Sequence, residues 1–267
     1  MVNNFYVGIG GWNFPPWRGT FYPKGLARNR ELAYASEHLT SIEINGTYYR
    51  TQSPGSFAKW HDETPAGFIF AIKGPRFATQ RRLLAEAGPS IERFLASGII
   101  DLKEKLGPIN WQFLPNRHFD AADFEAFLKL LPDSFKGHSL RHAVEVRHGT
   151  FQTREVIDLV RAYKIGIVFT DSEPFPNIFD ASAPFVYLRL QRASEQEANG
   201  YPEAALDDWA KRAVAWSQGK SPDGLDLLAG EEKKPPKRRD VFIYFIDGFK
   251  PKAPAGAMAL VRKLEKK

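Results

Sequence analysis

The sequence contains no cysteine. This absence excludes a disulfide framework, a thiolate nucleophile, a cysteine-ligated zinc site and an iron–sulfur cluster. No uninterrupted apolar run approaches the roughly 18 residues that a membrane span needs. The first residues, MVNNFYVGIGGW, do not combine a basic start with a long apolar stretch, so they do not resemble a secretory signal. We therefore expect a soluble, cytoplasmic protein with no membrane partner.

Histidine is also scarce, with six in the chain, and no HxH or HExxH spacing occurs. A multi-zinc site would need several imidazoles close together, so we predict no metal site and no resident cofactor. A magnesium ion held by two carboxylates is the one metal site that the sequence leaves open.

The composition is that of a folded protein. Of the 267 residues, 43% are apolar and 25% are charged, and the formal net charge is +6. A positive balance permits anionic partners such as nucleic acid or phosphorylated metabolites, but it does not require them.

Eight short apolar segments rich in β-branched and aromatic residues predict strands at 5–11, 41–46, 68–73, 109–114, 143–147, 165–170, 185–190 and 241–246. Helical patterns lie between them at 30–39, 54–61, 80–105, 121–131, 153–163, 202–216 and 254–265, with Ser53 and Asp120 as N-caps of two of them. Eight strands alternating with helices in this length predict an α/β fold, a single-domain (β/α)₈ TIM-type barrel over residues 1–267. The basic stretch 219–240 is interpreted as a flexible surface loop within that domain.

An open, doubly wound sheet is the competing architecture. It usually carries a GxGxxG fingerprint in the first strand–helix turn, whereas this chain has Asn13 at the sixth position. Pro15 and Pro16 also prevent a helix from starting there. No P-loop pattern occurs, so the barrel is favoured.

Active sites of such barrels lie at the C-terminal ends of the strands. Because Ile42 and Ile44 should face the helices, the side chains of Glu43 and Asn45 should point into the barrel. The same alternation on the fifth strand points the Glu145 side chain into the barrel. The predicted catalytic residues are Glu43, Glu145 and Lys73. The predicted ligand-binding residues are Trp12, Asn45, Gln112, Arg147, His148, Asp171, Arg189, Gln191, Tyr244 and Asp247.

The leading hypothesis from these residues is an enzyme, of the hydrolase or lyase type, with a pocket for a small anionic, phosphate-containing ligand. Glu43 and Glu145 would be its general acid and base. The cations Lys73, Arg147 and Arg189 would stabilise negative charge. The structural alternative is that the carboxylates and cations pair as a layer of the core, as Glu43 would with Arg147 or Arg189.

Two basic features compete as the anion site. The stretch 233–239, KKPPKRR, is typical of a solvated loop. The second feature is a set of four cations beside a helix that begins at Pro254, and it is preferred because phosphate sites of these barrels commonly lie there. That set consists of Arg189, Arg192, Lys250 and Lys252.

Aromatic residues are frequent after the first, second and fifth strands, where a flat ligand could stack on those not used in packing. They are Trp12, Phe14, Trp17, Phe21, Tyr22, Tyr48, Tyr49 and Phe151.

Two other functions remain open from the residues alone. The positive charge, the KKPPKRR loop and the aromatic residues also fit a non-catalytic nucleic-acid-binding protein. Alternatively, Lys73 could form a Schiff base with a carbonyl substrate, its pKa lowered by the neighbouring Arg76.

Nine motifs in order along the chain resemble the YecE-like barrels, a bacterial and archaeal family without an assigned function. They are VGIGGW (7–12), WRGTFYP (17–23), SIEINGTYYR (41–50), FAIKGPR (70–76), LGPINWQFLP (106–115), AVEVRHGTF (143–151), TDS (170–172), FVYLRL (185–190) and VFIYFIDG (241–248). The resemblance implies a TIM-type barrel and no particular activity. The chain departs from common members after the seventh strand, where Gln191 and Arg192 replace a His-Gly pair, and after the eighth strand, where an Asn-Asn-Asp sequence is missing. Ligand contacts there are expected to differ.

Overall fold

A computed structural model describes residues 4–266 and shows a closed barrel of eight parallel strands. The strands follow one another around the barrel in chain order, and β8 pairs with β1 to close it. They are β1 Phe5–Gly10, β2 Ser41–Ile44, β3 Ile69–Lys73, β4 Leu106–Gln112, β5 His142–Glu145, β6 Gly166–Asp171, β7 Phe185–Leu190 and β8 Asp240–Phe245. The predicted (β/α)₈ barrel is confirmed, and each of the eight predicted segments coincides with a strand.

The connections between the strands are mostly helical. The α-helices are α1 Glu31–His38, α2 Gly46–Tyr49, α3 Pro54–Asp62, α4 Arg76–Thr79, α5 Gly88–Leu95, α6 Ala121–Lys129, α7 Arg154–Ala162, α8 Glu203–Ser217 and α9 Ala253–Leu264. The one-turn helices α2 and α4 follow β2 and β3 directly and were not predicted. A small antiparallel hairpin, Ser134–Phe135 with His138–Ser139, precedes β5.

The predicted helix at 80–105 is not continuous. It consists of the 3₁₀ helix Leu84–Ala87, then α5, then a second 3₁₀ segment, Ile99–Lys105. The break after α5 falls at Gly98, whose φ of +98° is in the left-handed region. A Cβ at Gly98 would lie 2.7 Å from the Cα of Pro54, so packing against α3 requires glycine here.

The two predicted N-caps differ in the structure. The Asp120 side chain accepts a hydrogen bond from the Asp123 amide at 2.9 Å and caps α6. Ser53 occupies the N-cap position of α3 with extended backbone, but its Oγ contacts Ser56 Oγ at 2.9 Å and makes no capping bond.

The barrel interior has two levels. Its lower part is apolar and aromatic and includes Tyr187, Phe242 and Tyr244. The inward positions nearer the C-terminal ends of the strands are polar or charged, and the strand register places Gln112 beside Glu145. This change of character from apolar to charged marks the end of the barrel that carries the candidate site.

Residues 219–239 contain no helix or strand but are tied to the barrel wall. Asp180 accepts hydrogen bonds from the amides of Leu228 and Ala229 at 2.9 and 2.8 Å. Arg161 Nη2 donates to the Gly230 carbonyl at 2.7 Å. The flexibility of this stretch stays a prediction.

None of the helices within residues 4–266 has the length and apolar character that crossing a membrane requires.

Candidate active site at the C-terminal end of the barrel

Arg189 lies at the centre of a buried ion network. Its Nε and Nη2 donate to the two carboxylate oxygens of Glu43, each at 3.1 Å. Its Nη1 donates to both oxygens of Glu145 at 2.9 and 2.8 Å. Tyr187 OH donates to Glu43 Oε2 at 2.6 Å. One guanidinium therefore joins carboxylates from β2 and β5 across the barrel.

Glu145 is the most heavily hydrogen-bonded member of this network. Besides Arg189, it accepts from Gln112 Nε2 at 2.8 Å, Asn110 Nδ2 at 3.1 Å and Arg147 Nε at 2.9 Å. Burial by itself would raise the pKa of Glu145, but the positive charges of Arg189 and Arg147 outweigh it and hold that pKa well below its usual range. Glu145 is therefore a permanent anion at neutral pH.

Lys73 is buried beside the network without contacting a carboxylate. Its Nζ donates to Gln112 Oε1 at 2.8 Å and lies 4.3 Å from the centre of the Tyr48 ring. Burial, reinforced by the charge of Arg189, lowers the pKa of Lys73 to about 8. The low pKa expected for this lysine is thus present, but Arg76 is not its cause, because the Arg76 side chain is exposed and its guanidinium lies over Phe77.

Glu43 is 0% exposed. A Glu43 side chain that acts as general acid or base should line a solvent-reaching pocket, and the leading sequence hypothesis favours this arrangement over a buried pair. The structure instead shows the pair with Arg189 that the structural alternative requires. The exposure expected for Glu43 is wrong because Arg189 and Tyr187, both from β7, hydrogen-bond to its carboxylate and none of the residue is left exposed.

A cavity of about 400 Å³ opens at the C-terminal ends of β1 and β2, next to this network. Aromatic rings, side-chain amides and two cations line it: Trp12, Phe14 and Trp60; Asn13, Asn45 and Gln52; and Arg50 and Lys250. Lys250 Nζ lies 4.8 Å from the centre of the Phe14 ring, and burial lowers the pKa of this lysine below its usual value. The cavity thus offers flat apolar walls, hydrogen-bonding amides and positive charge.

A larger cavity, of about 750 Å³, lies at the opposite end of the barrel, around the first residues of β5, β7 and β8. Its one histidine, His142, is used in packing: it accepts from Trp111 Nε1 at 3.1 Å, and its Nε2 lies 2.8 Å from the Pro132 carbonyl. Burial lowers the pKa of His142 to about 4, so the ring is neutral. We place the candidate site at the other end, where the charged groups and the strand ends meet.

The predicted inward orientation is observed for Glu43, Lys73, Gln112, Glu145 and Arg189, which the network brings together. Arg147 joins them from the rim, its guanidinium 4.3 Å from the centre of the Phe175 ring.

Two of the predicted inward carboxylates do not face the barrel. On β6 the interior residue is Val168, so Thr170 points inward and Asp171 outward. Asp171 accepts from Tyr201 OH at 3.1 Å and lies 3.3 Å from Arg192 Nε. Asp247 is exposed beyond the end of β8. Both inward assignments are wrong because Asp171 and Asp247 stand at odd separations from the interior residues Val168 and Tyr244, and side chains at odd separations along a strand lie on opposite faces.

Three further predicted residues lie outside the cavity. Tyr244 is fully buried in the lower barrel, 2.8 Å from Ser41 Oγ. The His148 ring packs on His118 with centroids 3.9 Å apart. Gln191 is half-buried just beyond β7. In contrast, Trp12 and Asn45 do line the cavity. The binding roles of all five stay predictions.

The preferred four-cation anion site does not assemble. Arg189 is occupied by the two glutamates, Arg192 pairs with Asp171, and Lys252 Nζ donates to the Ala198 carbonyl at 3.3 Å. Only Lys250 lines the cavity. The interpretation of these four side chains as one site is wrong because three of them have partners in the surrounding loops and strands.

The aromatic residues divide into packing and cavity-lining groups. Those buried are Trp17, Phe21, Tyr22, Tyr48 and Phe151, whereas Trp12 and Phe14 line the cavity and Tyr49 is exposed. Sequence reasoning missed Asn110 and the role of Tyr187 in the network. Asn110 could have been identified from the alternation of side chains along β4, because it is two residues from the inward-facing Gln112 and so lies on the same face.

The residues present do not fit the magnesium ion that the sequence left open. Every carboxylate oxygen of Glu43 and Glu145 already accepts a hydrogen bond, and three cations surround the pair. Within residues 4–266, no group of three or more His, Asp or Glu side chains is placed to hold a metal ion.

The fold and site define a TIM-type barrel that has a buried ion network in its interior and a small cavity at the C-terminal ends of its first two strands. The chain belongs to the family described as "Protein of unknown function DUF72", whose model matches residues 6–267. This membership agrees with the unknown-function barrel family suggested by the sequence motifs.

Solved structures of the same family have the same fold. TM1631 from Thermotoga maritima superposes with a TM-score of 0.74 at 23% identity, covering 98% of this chain and 99% of that one. EF0366 from Enterococcus faecalis has a TM-score of 0.71 at 15% identity, covering 98% and 95%. A D-psicose 3-epimerase reaches 0.52 at 10% identity, covering 98% and 96%, which shows a common fold alone.

A shorter match is found to the UPF0759 protein YunF of Bacillus subtilis. It is 31% identical over 68 residues, which are 26% of this chain. The aligned part spans 23% of YunF, less than a quarter of that relative's length.

Proposed function

We propose that this barrel is an enzyme that binds a small anionic, phosphate-containing ligand at the C-terminal ends of its strands. The observation that carries the proposal is the charge of the buried network. The cations Lys73, Arg147 and Arg189 face two carboxylates, so one positive charge is left without a protein partner. A buried uncompensated charge is costly unless a ligand uses it.

The second step concerns which group exchanges a proton. Glu43 and Glu145 accept hydrogen bonds on all their oxygens, and the pKa of Glu145 is held low. We infer that both act as positioning residues for the three cations. Lys73, with a pKa of about 8, is better suited to give and take a proton near neutral pH.

The cavity supplies the rest of the recognition. Arg50 and Lys250 can bind phosphate oxygens, and Asn45 can donate or accept a hydrogen bond at the ligand's polar groups. Trp12 and Phe14 provide faces for a flat or sugar ring.

Isothermal titration calorimetry with inorganic phosphate, ribose 5-phosphate, adenosine monophosphate and unphosphorylated ribose tests this proposal. We expect binding of a phosphorylated compound and not of ribose. Lys73→Met should weaken it by about tenfold or more, the effect of losing a charged hydrogen bond. Lys59→Met is the matched control, since Lys59 lies on the outer helix α3 and pairs with Glu63. Equal affinity of the Lys73 variant, or binding of no phosphorylated compound, would contradict the proposal.

The lowered pKa of Lys73 also supports a second candidate, a Schiff-base enzyme acting on a carbonyl compound. With a pKa of about 8, roughly a tenth of the amine is neutral and nucleophilic at pH 7. Reduction with cyanoborohydride in the presence of pyruvate or glyceraldehyde 3-phosphate, followed by peptide mass spectrometry, tests it. Selective labelling of Lys73 supports this chemistry. Labelling spread evenly over exposed lysines such as Lys59 rejects it.

A further inference from the structure

Large exposed apolar side chains concentrate beside the barrel mouth. Within residues 4–266 they are Tyr49 at 62% exposure, Phe77 at 59%, Leu83 at 45% and Leu228 at 37%. The first three follow β2 and β3, two neighbouring strands. Single exposed apolar side chains are common, but several on neighbouring loops indicate a candidate interaction site.

The two loops that carry these side chains are joined to each other. Gln80 Nε2 donates to Tyr48 OH at 2.9 Å, and the Tyr48 ring lies 5.1 Å from that of Tyr49. Arg117 donates to the Arg82 carbonyl at 3.0 Å and anchors the far end of the second loop to the barrel. The two loops that carry the exposed rings are therefore fixed to each other and to the barrel.

Arginines without ion-pair partners surround the same rings. Arg50, Arg76 and Arg82 are exposed, and within residues 4–266 none of them lies within ion-pair distance of a carboxylate. Nine other arginines in that range do pair, among them Arg18 with Glu31 and Arg154 with Asp158. Segments 46–56 and 74–87 together hold four arginines and one acidic residue, Glu86. This surface is thus locally positive as well as aromatic.

We propose that the surface formed by Tyr49, Arg50, Arg76, Phe77, Arg82 and Leu83 binds single-stranded nucleic acid. Exposed rings provide stacking faces for unpaired bases, and free guanidiniums between them bind the phosphates. A duplex hides its base faces, so the rings select the single strand. The Arg76 guanidinium, 5.5 Å from the centre of the Phe77 ring, places both kinds of contact at one point.

The surface also leads toward the cavity, because Arg50 belongs to both. A strand stacked on Tyr49 and Phe77 would therefore have its neighbouring phosphate or terminal nucleotide at the barrel mouth. The proposal does not depend on the chemistry proposed for Lys73.

Fluorescence anisotropy tests this assignment with labelled single strands of DNA and RNA about 12 nucleotides long and with a duplex of the same sequence. We expect the single strands to bind at least about tenfold more tightly than the duplex, and binding to weaken between about 50 and about 200 mM KCl. Phe77→Ala and Tyr49→Ala should each weaken binding by about fivefold to a hundredfold, the loss of one stacked base. Arg76→Gln should weaken binding and reduce its salt dependence.

Leu228→Ala is the matched control, since it removes an exposed apolar side chain outside this surface, and it should leave affinity unchanged. Tyr49→Ala and Phe77→Ala should leave the affinity for phosphorylated compounds in the calorimetric test unchanged, because neither side chain lines the cavity, and this separates the surface from the function proposed for the barrel. Circular dichroism melts verify that each variant is folded. Equal binding of duplex and single strand, or unchanged affinity in Tyr49→Ala and Phe77→Ala, would overturn the assignment. So would binding of phosphatidylserine vesicles or polyglutamate through the same residues in the absence of nucleic-acid binding.

Discussion

At the scale of single residues, Arg189 determines the character of the site. A lysine could not replace it, because the planar guanidinium bonds two carboxylates on different strands at once. Glu43 depends on Arg189 for compensation of its buried charge, and Glu145 is compensated by Arg189 and Arg147 together. Removing Arg189 would leave Glu43 without a cationic partner, whereas Glu145 would keep Arg147.

The first prediction follows for Glu43. Glu43→Gln leaves Arg189 with a buried charge that has lost one of its two partners. We expect the free energy of unfolding to fall by about 3–5 kcal/mol, measured by urea denaturation. Asp158→Asn, which breaks an exposed pair with Arg154, should cost less than about 1 kcal/mol. A loss below about 1 kcal/mol for Glu43→Gln would mean that the carboxylate reaches solvent and has a role other than pairing.

The second prediction concerns Lys73. Its pKa in the folded protein is about 8, below the unfolded value of about 10.4. Because the folded state disfavours the charged amine, this residue costs stability below about pH 8, and the cost disappears as the pH rises through about 10.4. Pulse acetylation followed by mass spectrometry should show Lys73 reactivity rising with a midpoint near pH 8. In urea the same peptide should titrate near pH 10.4, at about the unperturbed value. A folded-state midpoint near about 10.4 would show that Lys73 is not desolvated.

At the scale of elements, α6 and α3 can be compared because the N-cap side chain makes a capping hydrogen bond in α6 and makes none in α3. Asp120→Ala removes the side chain that accepts from the Asp123 amide. We expect the free energy of unfolding, measured by urea denaturation, to fall by about 1 kcal/mol. Ser53→Ala should cost a few tenths of a kcal/mol at most, since Ser53 Oγ makes no capping bond. Equal losses in the two variants would show that the capping hydrogen bond is not what stabilises α6.

The pairing of β1 with β2 leads to the fourth prediction. A Cβ at Gly8 would lie 1.8 Å from the Ser41 carbonyl oxygen, so Gly8→Ala must push the two strands apart. We expect the free energy of unfolding to fall by about 3 kcal/mol or more. Overpacking typically costs about 1–3 kcal/mol, and this approach is unusually close. Gly55→Ala, in the first turn of α3 with open space around it, should be neutral or stabilising. Thermal melts of both variants check the difference, and an unchanged melting temperature for Gly8→Ala would refute the close approach.

At the scale of the whole molecule, the network makes the fold sensitive to acid. The pKa of Glu145 is depressed in the folded state, so its contribution to stability is present above the unfolded value of about 4.3 and is lost as the pH falls below it. We expect the free energy of unfolding to decrease steeply below about pH 4. The slope should be smaller in Glu145→Gln, which has no proton to bind at this position. If the free energy of unfolding changed with pH in the same way for the wild type and for Glu145→Gln, Glu145 would be excluded as a source of the acid sensitivity.

The barrel could be predicted from the amino-acid sequence alone. Each strand is a short β-branched or aromatic run bounded by turn residues, and that local signal needs no knowledge of the neighbours. Alternation also fixed the side on which Glu43, Glu145 and Arg189 lie, because side chains of a strand must alternate between faces. The break of the 80–105 segment was missed, since the requirement for Gly98 comes from Pro54 on another helix.

The contacts that those inward residues make could not be predicted from the sequence. Strand alternation gives a direction for each side chain but no distance, so it could not show that Arg189 reaches both Glu43 and Glu145 or that Lys73 is left beside a neutral amide. Asp171 was assigned to the wrong face because only the structure shows that Val168 is the interior residue of β6, which turns Asp171 outward to Tyr201. The exposure of Tyr49 and Phe77 was likewise set by packing between loops. The ion pairs of Arg189, the desolvation of Lys73 and the exposure of the two rings all depend on contacts between residues that are far apart in the chain. A pattern within one strand or helix carries no information about such contacts.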